Sequence, residues 1–413
     1  MKSLYDIFVS LLIFVMRVGS LFSYKLKRGL AGRRQSCEIV RQRFSPTDRV
    51  IWMHAASLGE YEQGLPVLEK LKKNYPRHKI LITFFSPSGY EIVSKRKPIA
   101  DAVCYLPFDK KWWIDEFTSH FKTDIFFTVK YDYWYNLLFE LRNQKAKIFV
   151  ISALFYETQI FFKPYGKWFS KSLKNNVDWF FHQTKQSSVL AKSIGLSQSS
   201  VTGDTRFDRV KMFLQRDNHV PFIEEFKQSD FCIVFGSAWE AEEKMAQMIH
   251  KKSPEIKLII APHDLKRVEN LKDTFPGALL YSQLTFSETM SGNLLIIDSI
   301  GILSKLYSYA DLAVVGGGFH SAGLHNVLEA AVFGIPVLFG NHYLKNPEAD
   351  GLIAANAAKS FEDEYFAVKY IEGLIQFPER LQEMGENASQ FVLSQPNSSE
   401  LICRKISSDF GLN

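Results

Sequence analysis

The stretch from Asp311 to Gly340, DLAVVGGGFHSAGLHNVLEAAVFGIPVLFG, constrains the fold more than any other. An apolar run, Leu312–Val315, meets the glycines Gly316, Gly317 and Gly318. His325 and Asn326 then head an apolar segment carrying Glu329, and a second apolar run, Ile335–Phe339, closes the unit. Strand, glycine turn, helix and strand in that order build a βαβ unit. Such a unit places backbone N–H groups and a helix start at the carboxyl edge of a parallel sheet, where an anion binds. Taken alone the stretch is either an ordinary βαβ unit with a glycine turn or an anion site, and its neighbours decide between them.

Similar alternation runs through the rest of the chain. Val50–His54, Lys79–Phe85, Ala102–Leu106, Asp124–Val129 and Lys147–Ser152 read as strands, with helical spacing in Gly64–Asn74. The connections are too long for hairpins, so a parallel sheet with crossover helices is expected. Three loops at strand ends carry polar groups. In HAASLGEYEQG (54–64), Ser57 and Gly59 allow close backbone approach, and Glu60 opens a helix, as a cap or as a general base. VKYDYWYN (129–136) places Lys130 and Asp132 among aromatics, as a surface ion pair or as part of a site. VTGDTRFD (201–208) turns at Gly203 and presents Arg206, solvated or functional.

The residues 209–230 are polar and aperiodic and read as a linker. A second alternating series follows. Phe231–Phe235 runs into Gly236-Ser237, Leu258–Ala261 into Pro262-His263-Asp264, and Leu294–Ile297 into Asp298-Ser299-Ile300-Gly301, before the glycine-rich stretch. Four consecutive strands thus end in loops of small and polar residues, all expected on one sheet edge. Residues 361–393 are helical in pattern. At 413 residues with 46% apolar content, two domains with real cores are expected. A net charge of +6 suits an acidic substrate or an anionic membrane surface and does not require nucleic acid. Four scattered cysteines form neither a zinc pattern nor a disulfide framework. No dinucleotide fingerprint with a following ribose acid and no P-loop is present, which disfavours a dinucleotide oxidoreductase, and two Rossmann-like domains with a nucleotide-sized site on the second suggest a sugar-nucleotide-dependent transferase.

The first residues differ in character. Leu4–Phe22 is mostly apolar, interrupted by Asp6 and Arg17, and is followed by Lys25, Lys27, Arg28, Arg33 and Arg34. It reads as a single span, as a helix lying in the membrane interface, or as a core helix with a solvated charge run. Membrane attachment is the favoured reading, and burying Arg17 mid-bilayer at a cost of about 2.5–3.5 kcal/mol leans it toward the interface.

HAASLGE, VKYDYWYN, TGDTRFD, GSAWEAEE, APHD, DSIGIL and GLHNVLEAA occur in an order that resembles the Kdo (3-deoxy-D-manno-octulosonic acid) transferases of lipopolysaccharide synthesis. The resemblance implies an α/β fold of GT-B architecture: two Rossmann-like domains facing a cleft, with an N-terminal membrane-associated helix. Its divisions would be an anchor at 1–23, an acceptor domain at 24–208, a linker at 209–230, a CMP-sugar domain at 231–390 and a C-terminal helix at 391–413. It implies inverting transfer of Kdo from CMP-Kdo to a lipid A precursor at the cytoplasmic face of the inner membrane, among anionic lipids, with no cofactor and no metal. Glu60 would be the base, with Lys130, Asp132 and Arg206 beside it. The donor would meet Gly236, Ser237, Pro262, His263, Ile300, Gly301, Ile302, Gly317, His325, Asn326, Val327, Leu328 and Glu329. Departing negative charge would be met by cationic side chains and helix dipoles. Three positions depart from the family pattern: Lys130 replaces a glutamate, Arg206 a lysine, and Pro262-His263-Asp264 a proline-arginine-histidine run. The alternatives are another sugar nucleotide, an epimerase of the same architecture, or an inactive membrane-bound scaffold.

Overall fold

Strands that are apolar on both faces can be satisfied only in the middle layer of an α/β sandwich. The computed structural model, which describes residues 2–96, 98–285, 292–321, 323–344 and 346–411, contains two such sheets. Ala322 of the glycine-rich stretch, and Met1 and residues 412–413 of the expected terminal segments, lie outside the described residues. The chain divides into one unit made of Met1–Arg209 with Pro396–Asn413, and a second made of Val210–Gln395.

In the first unit the strands are β1 (Arg49–Ala55), β2 (Lys79–Phe84), β3 (Ala102–Tyr105), β4 (Lys122–Val129), β5 (Lys147–Ala153), β6 (Trp179–His182) and β7 (Ser199–Val201). They pair in parallel in the order β3-β2-β1-β4-β5-β6-β7. Along β1, Val50 and Trp52 face one core while Ile51 and Met53 face the other. Side-chain alternation along a strand therefore fills both faces with apolar groups. The second unit repeats the plan with β8 (Cys232–Ala238), β9 (Lys257–Pro262), β10 (Leu279–Leu280), β11 (Leu294–Ile296), β12 (Leu312–Val315), β13 (Val337–Gly340) and β14 (Ala358–Phe361), in the order β10-β11-β9-β8-β12-β13-β14. β6, β7, β10 and β14 are short, two to four residues each, and carry too few side chains to show a period.

Two readings of the sequence need correction. The segment 209–230 is not an open linker. It holds the helix Ile223–Lys227, whose Ile223 and Phe226 are fully buried in the second unit. The basic run after residue 23 is not a bare charged flank either. It forms the helix Tyr24–Arg43, capped by Ser23, whose Val40 enters the core while Arg33 is itself buried. The C-terminal helix Ser398–Phe410 inserts Ile402, Cys403 and Ile406 among Leu65, Leu68 and Leu71 of the first unit. Asp208 caps it, its Oδ1 accepting from Ser399 N and Oγ and its Oδ2 from Ser398 N.

The N-terminal helix Lys2–Gly19 buries only Val9 and Ile13. Tyr5 hooks it to the sheet edge, its hydroxyl donating to Asp109 Oδ2 at 2.6 Å. The opposite face leaves Ile7, Phe8, Leu11, Phe14 and Val15 more than half exposed. Among the described residues no helix is long and apolar enough to cross a membrane, which sets aside the spanning reading.

Candidate active site

In the first unit, three adjacent strand ends bring the polar residues together. His54, the penultimate residue of β1, is fully buried. Its Nδ1 lies 2.9 Å from Thr83 Oγ1 on β2, and its Nε2 lies 2.6 Å from Asp132 Oδ2 beyond β4. His54 thus fixes Asp132, a role that nothing in the spacing of HAASLGE disclosed. Lys130 follows β4 with φ +62°, a left-handed conformation uncommon for a side chain with a Cβ. Its carbonyl is held by Tyr133 Oη at 3.0 Å and its N–H by Ile151 O at 3.0 Å.

Glu60 stands in the first turn of the helix Leu58–Asn74 and accepts from Ser57 N at 3.1 Å through Oε2. The capping reading is therefore true. It is also incomplete, because this carboxyl is half-buried among charges. Burial raises its pKa, and Asp132 raises it further; Lys130, a backbone N–H bond and His54 pull it back. A carboxylate of raised pKa in reach of a cation has the makings of a general base near neutral pH. Ser57 supplies only backbone to this arrangement, and Gly59 faces open space.

Arg206 is less available than the sequence suggests. Its Nε and Nη2 donate to Asp204 Oδ2 at 2.8 and 2.6 Å. Asp204 also accepts from Arg206 N at 2.9 Å and from Gln63 Nε2 at 2.6 Å. Burial opposes ionisation of Asp204, but the charges of Arg206 and Lys130 and these hydrogen bonds outweigh it and lower the pKa. Lys130 is thus coupled to Glu60 on one side and to Asp204 on the other. The lysine that replaces an expected glutamate is compensated by acids already in place.

In the second unit the strand-end loops also converge. Gly236 permits the packing of Tyr307, since a Cβ there would stand 1.8 Å from the tyrosine hydroxyl. Ser237 turns the chain at φ +51°, and Gly317 does so at φ +92°. Gly316 N donates to Gly236 O, and His325 N donates to Gly316 O. The His263 ring follows Pro262 and stacks on Trp239, centroids 4.4 Å apart; it lies 4.7 Å from the His325 ring. His320 meets Trp239 edge-on at 4.3 Å. Buried Glu242 accepts from Trp239 N at 2.8 Å through Oε2. Trp239 Nε1 is buried with no hydrogen-bond partner among the described residues. Trp239, Glu242 and His320 escaped the sequence reading, although all three lie within or beside its motifs.

Several expected donor residues take modified roles. Val327 and Leu328 are fully buried, so only their backbone is left for a ligand. Asn326 Nδ2 donates to Glu329 Oε1 at 3.1 Å, and its Oδ1 accepts from Leu328 N. The helix they head is a single turn, Leu328–Ala331, too short for the dipole expected of it. Ile300 is 81% exposed, Gly301 turns at φ +99°, and Ile302 caps the helix Leu303–Leu306 leading to Tyr307. Burial lowers the His263 pKa; burial and the two other histidines push His325 down to about 4. These rings are neutral at pH 7 and would meet an anion as N–H donors. Asp264, in place of the family's histidine, caps a turn by accepting from Lys266 N. Among the described residues no three His, Cys, Asp or Glu side chains converge as a metal site.

Residues 31–209 match the family model described as 3-deoxy-D-manno-octulosonic-acid transferase (kdotransferase). The 3-deoxy-D-manno-octulosonic acid transferase of Aquifex aeolicus (strain VF5) is 27% identical over 312 residues, covering 73% of this chain and 80% of the relative. That of Chlamydophila psittaci (strain ATCC VR-125 / 6BC) is 26% identical over 392 residues, covering 91% and 89%. The chain is thus similar to Kdo transferases, by the family model over its first unit and by these relatives over most of its length. Its fold is also that of a UDP-GlcNAc 2-epimerase from Neisseria meningitidis bound to UDP-GlcNAc, with a TM-score of 0.60 at 18% identity over 87% of this chain and all of the other. A glycosyltransferase from Rickettsia africae ESF-5 matches with a TM-score of 0.55 at 12% identity over 88% and 99%. Like those proteins, the chain has two parallel sheets, and its candidate polar groups follow the carboxyl ends of their strands.

Proposed function

We propose that the chain transfers Kdo from CMP-Kdo to a hydroxyl of a lipid A precursor, with inversion at the anomeric carbon. The observation that carries this reading is the half-buried Glu60 carboxyl of raised pKa, held between Lys130 and Asp132 at the end of β1 and β4. In the proposed step Glu60 takes the proton of the acceptor hydroxyl. The freed oxygen forms its bond to the anomeric carbon on the face opposite CMP. The carbon–oxygen bond to CMP breaks, and its electron pair leaves with the phosphate. The neutral His263 and His325 rings, beside the Gly236-Ser237 and Gly316–Gly318 turns, would receive that phosphate with their N–H groups, as preorganised dipoles do. Lys130 would keep Glu60 ionised enough to act. The reading is tested by incubating the full chain with CMP-Kdo and a tetra-acylated lipid A precursor and following Kdo-lipid by mass spectrometry. Absence of product, with an active family member as control, would overturn it.

The exposed apolar face of the N-terminal helix would bring the enzyme to its lipid at the inner membrane. Deleting the helix is a poor test, because Val9, Ile13 and Tyr5 are part of the fold. Replacing Leu11, Phe14 and Phe22, which are 57%, 62% and 88% exposed, with Gln leaves those contacts intact. The triple variant is expected to lose at least about tenfold in co-sedimentation with phosphatidylglycerol vesicles, since each large apolar side chain is worth roughly 1.5–3 kcal/mol when fully buried. Undiminished binding would assign attachment to another surface.

A further inference from the structure

Beneath the N-terminal helix lies a cavity of about 290 Å³ that the transfer step does not use. Its walls combine two chemistries. Arg17, Arg33 and Arg34 bring three guanidinium groups against one carboxylate, Glu116, while Leu30 and Phe108 are among its apolar lining.

Arg33 stands apart from the other two because it is only 7% exposed. Its Nη1 donates to Gly29 O at 3.1 Å and its Nη2 to Phe85 O. The guanidinium lies 4.5 Å from the Phe85 ring centroid and 4.8 Å from that of Phe108. Its Nε is buried with no hydrogen-bond partner, and among the described residues no carboxylate pairs with it. Burial lowers its pKa to about 10, which leaves it a cation at neutral pH. A buried guanidinium without a counter-ion is costly unless an anion completes it. The planar fork matches phosphate oxygens in a way that lysine does not.

Two features say what carries that anion. At about 290 Å³ the cavity is at the small end of the ~300–1,000 Å³ range of ligand pockets, so it takes a headgroup and not a whole lipid. The helix that brings Arg17 to it also exposes Phe14, Val15 and Val18 to either side of that arginine in sequence. Phe85 follows β2 and its N–H reaches Ala55 O, so the cavity lies at the same sheet edge as Glu60. We propose that this cavity binds the phosphate of an acyl lipid, with Arg33 at its base and Arg17 and Arg34 closing over the headgroup while the acyl chains follow the exposed apolar face. This rests on the first unit alone and stands whether or not the transfer reading does.

Titration calorimetry of the full chain, without donor, tests it with short-chain phosphatidic acid, phosphatidylcholine of the same chains, and inorganic phosphate. Phosphatidic acid is expected to bind at one site per chain and more tightly than either comparator. Arg17→Gln/Arg34→Gln should weaken it about tenfold or more, as the loss of charged hydrogen bonds does. Lys25→Gln/Lys27→Gln removes the same charge from residues that do not line the cavity and should change affinity less than about twofold. Equal losses in the two double variants would mean diffuse attraction and overturn the site. Inorganic phosphate binding as tightly as phosphatidic acid would overturn the lipid assignment. Arg33→Lys keeps the charge without the fork and is expected to weaken binding while circular dichroism and the melting profile stay those of the parent; unchanged affinity would remove Arg33 from the site.

Discussion

Glu60→Gln is expected to lower the rate of Kdo transfer by a factor on the order of 10²–10⁴, the usual worth of a positioned base. Gln is the informative replacement because it retains an oxygen able to accept from Ser57 N, so the helix start survives while the proton acceptor is lost. The pH profile supplies the sharper test. Burial and Asp132 raise the Glu60 pKa and Lys130 lowers it, so the acid limb of kcat/KM should lie above the ordinary carboxylate range. Activity then falls as pH drops through that raised value and Glu60 takes up its proton. Lys130→Met should move the limb to higher pH and Asp132→Asn to lower pH. Movement of both variants in one direction would mean that the limb belongs to another group. An unchanged rate in Glu60→Gln would reduce Glu60 to its capping role.

Asp204→Ala is expected to destabilise the first unit by about 3–5 kcal/mol, the usual result of removing one partner of a buried charge pair. Asp204 is 8% exposed and holds Arg206 and Gln63 together, so its loss removes a charged partner from the guanidinium and a hydrogen bond from the amide at once. Six of the seven tryptophans lie in the first unit and only Trp239 in the second, so tryptophan fluorescence in urea reports chiefly on the right half of the problem. The pH dependence has a definite sign. The Asp204 pKa is lower folded than unfolded, so its contribution is complete above the ordinary aspartate range and is lost as pH falls through the folded value. The gap between parent and variant should therefore close in acid. A shift below about 1 kcal/mol at neutral pH would class the pair with exposed salt bridges of little consequence.

How much of this was legible beforehand depended on length and on partners. Long strands buried on both faces, such as Val50–His54 and Lys147–Ser152, announce themselves as apolar runs, and the glycines of 316–318 mark their turn. β10 and β14, of two and four residues, leave no such trace, β14 because Lys359 and Ser360 interrupt its apolar residues. The helix Tyr24–Arg43 was obscured because its polar surface is dense with cations, and a single buried arginine looks like any other in a sequence. In the candidate site, residue types were readable but their pairings were not. His54 and Asp132 are 78 positions apart, and Gln63 and Asp204 are 141 apart. Only the strand order makes them neighbours. That His263 stacks on Trp239 and that His325 is held neutral by burial and its histidine neighbours could not be read either, because burial is a property of the fold.

The placement of the C-terminal helix has a consequence for the way the protein is made. The first unit is interrupted: its last helix is translated only after all of Val210–Gln395. Until then Leu65, Leu68 and Leu71 lack the cover of Ile402 and Ile406, and Asp208 lacks the serines it caps. The second unit, one unbroken segment, is free to complete its core during synthesis, while the first remains unsealed until Ser398–Phe410 has been made. A stop codon or cleavage just before Pro396 would therefore spare the second unit, although it lies nearer the break, and damage the first.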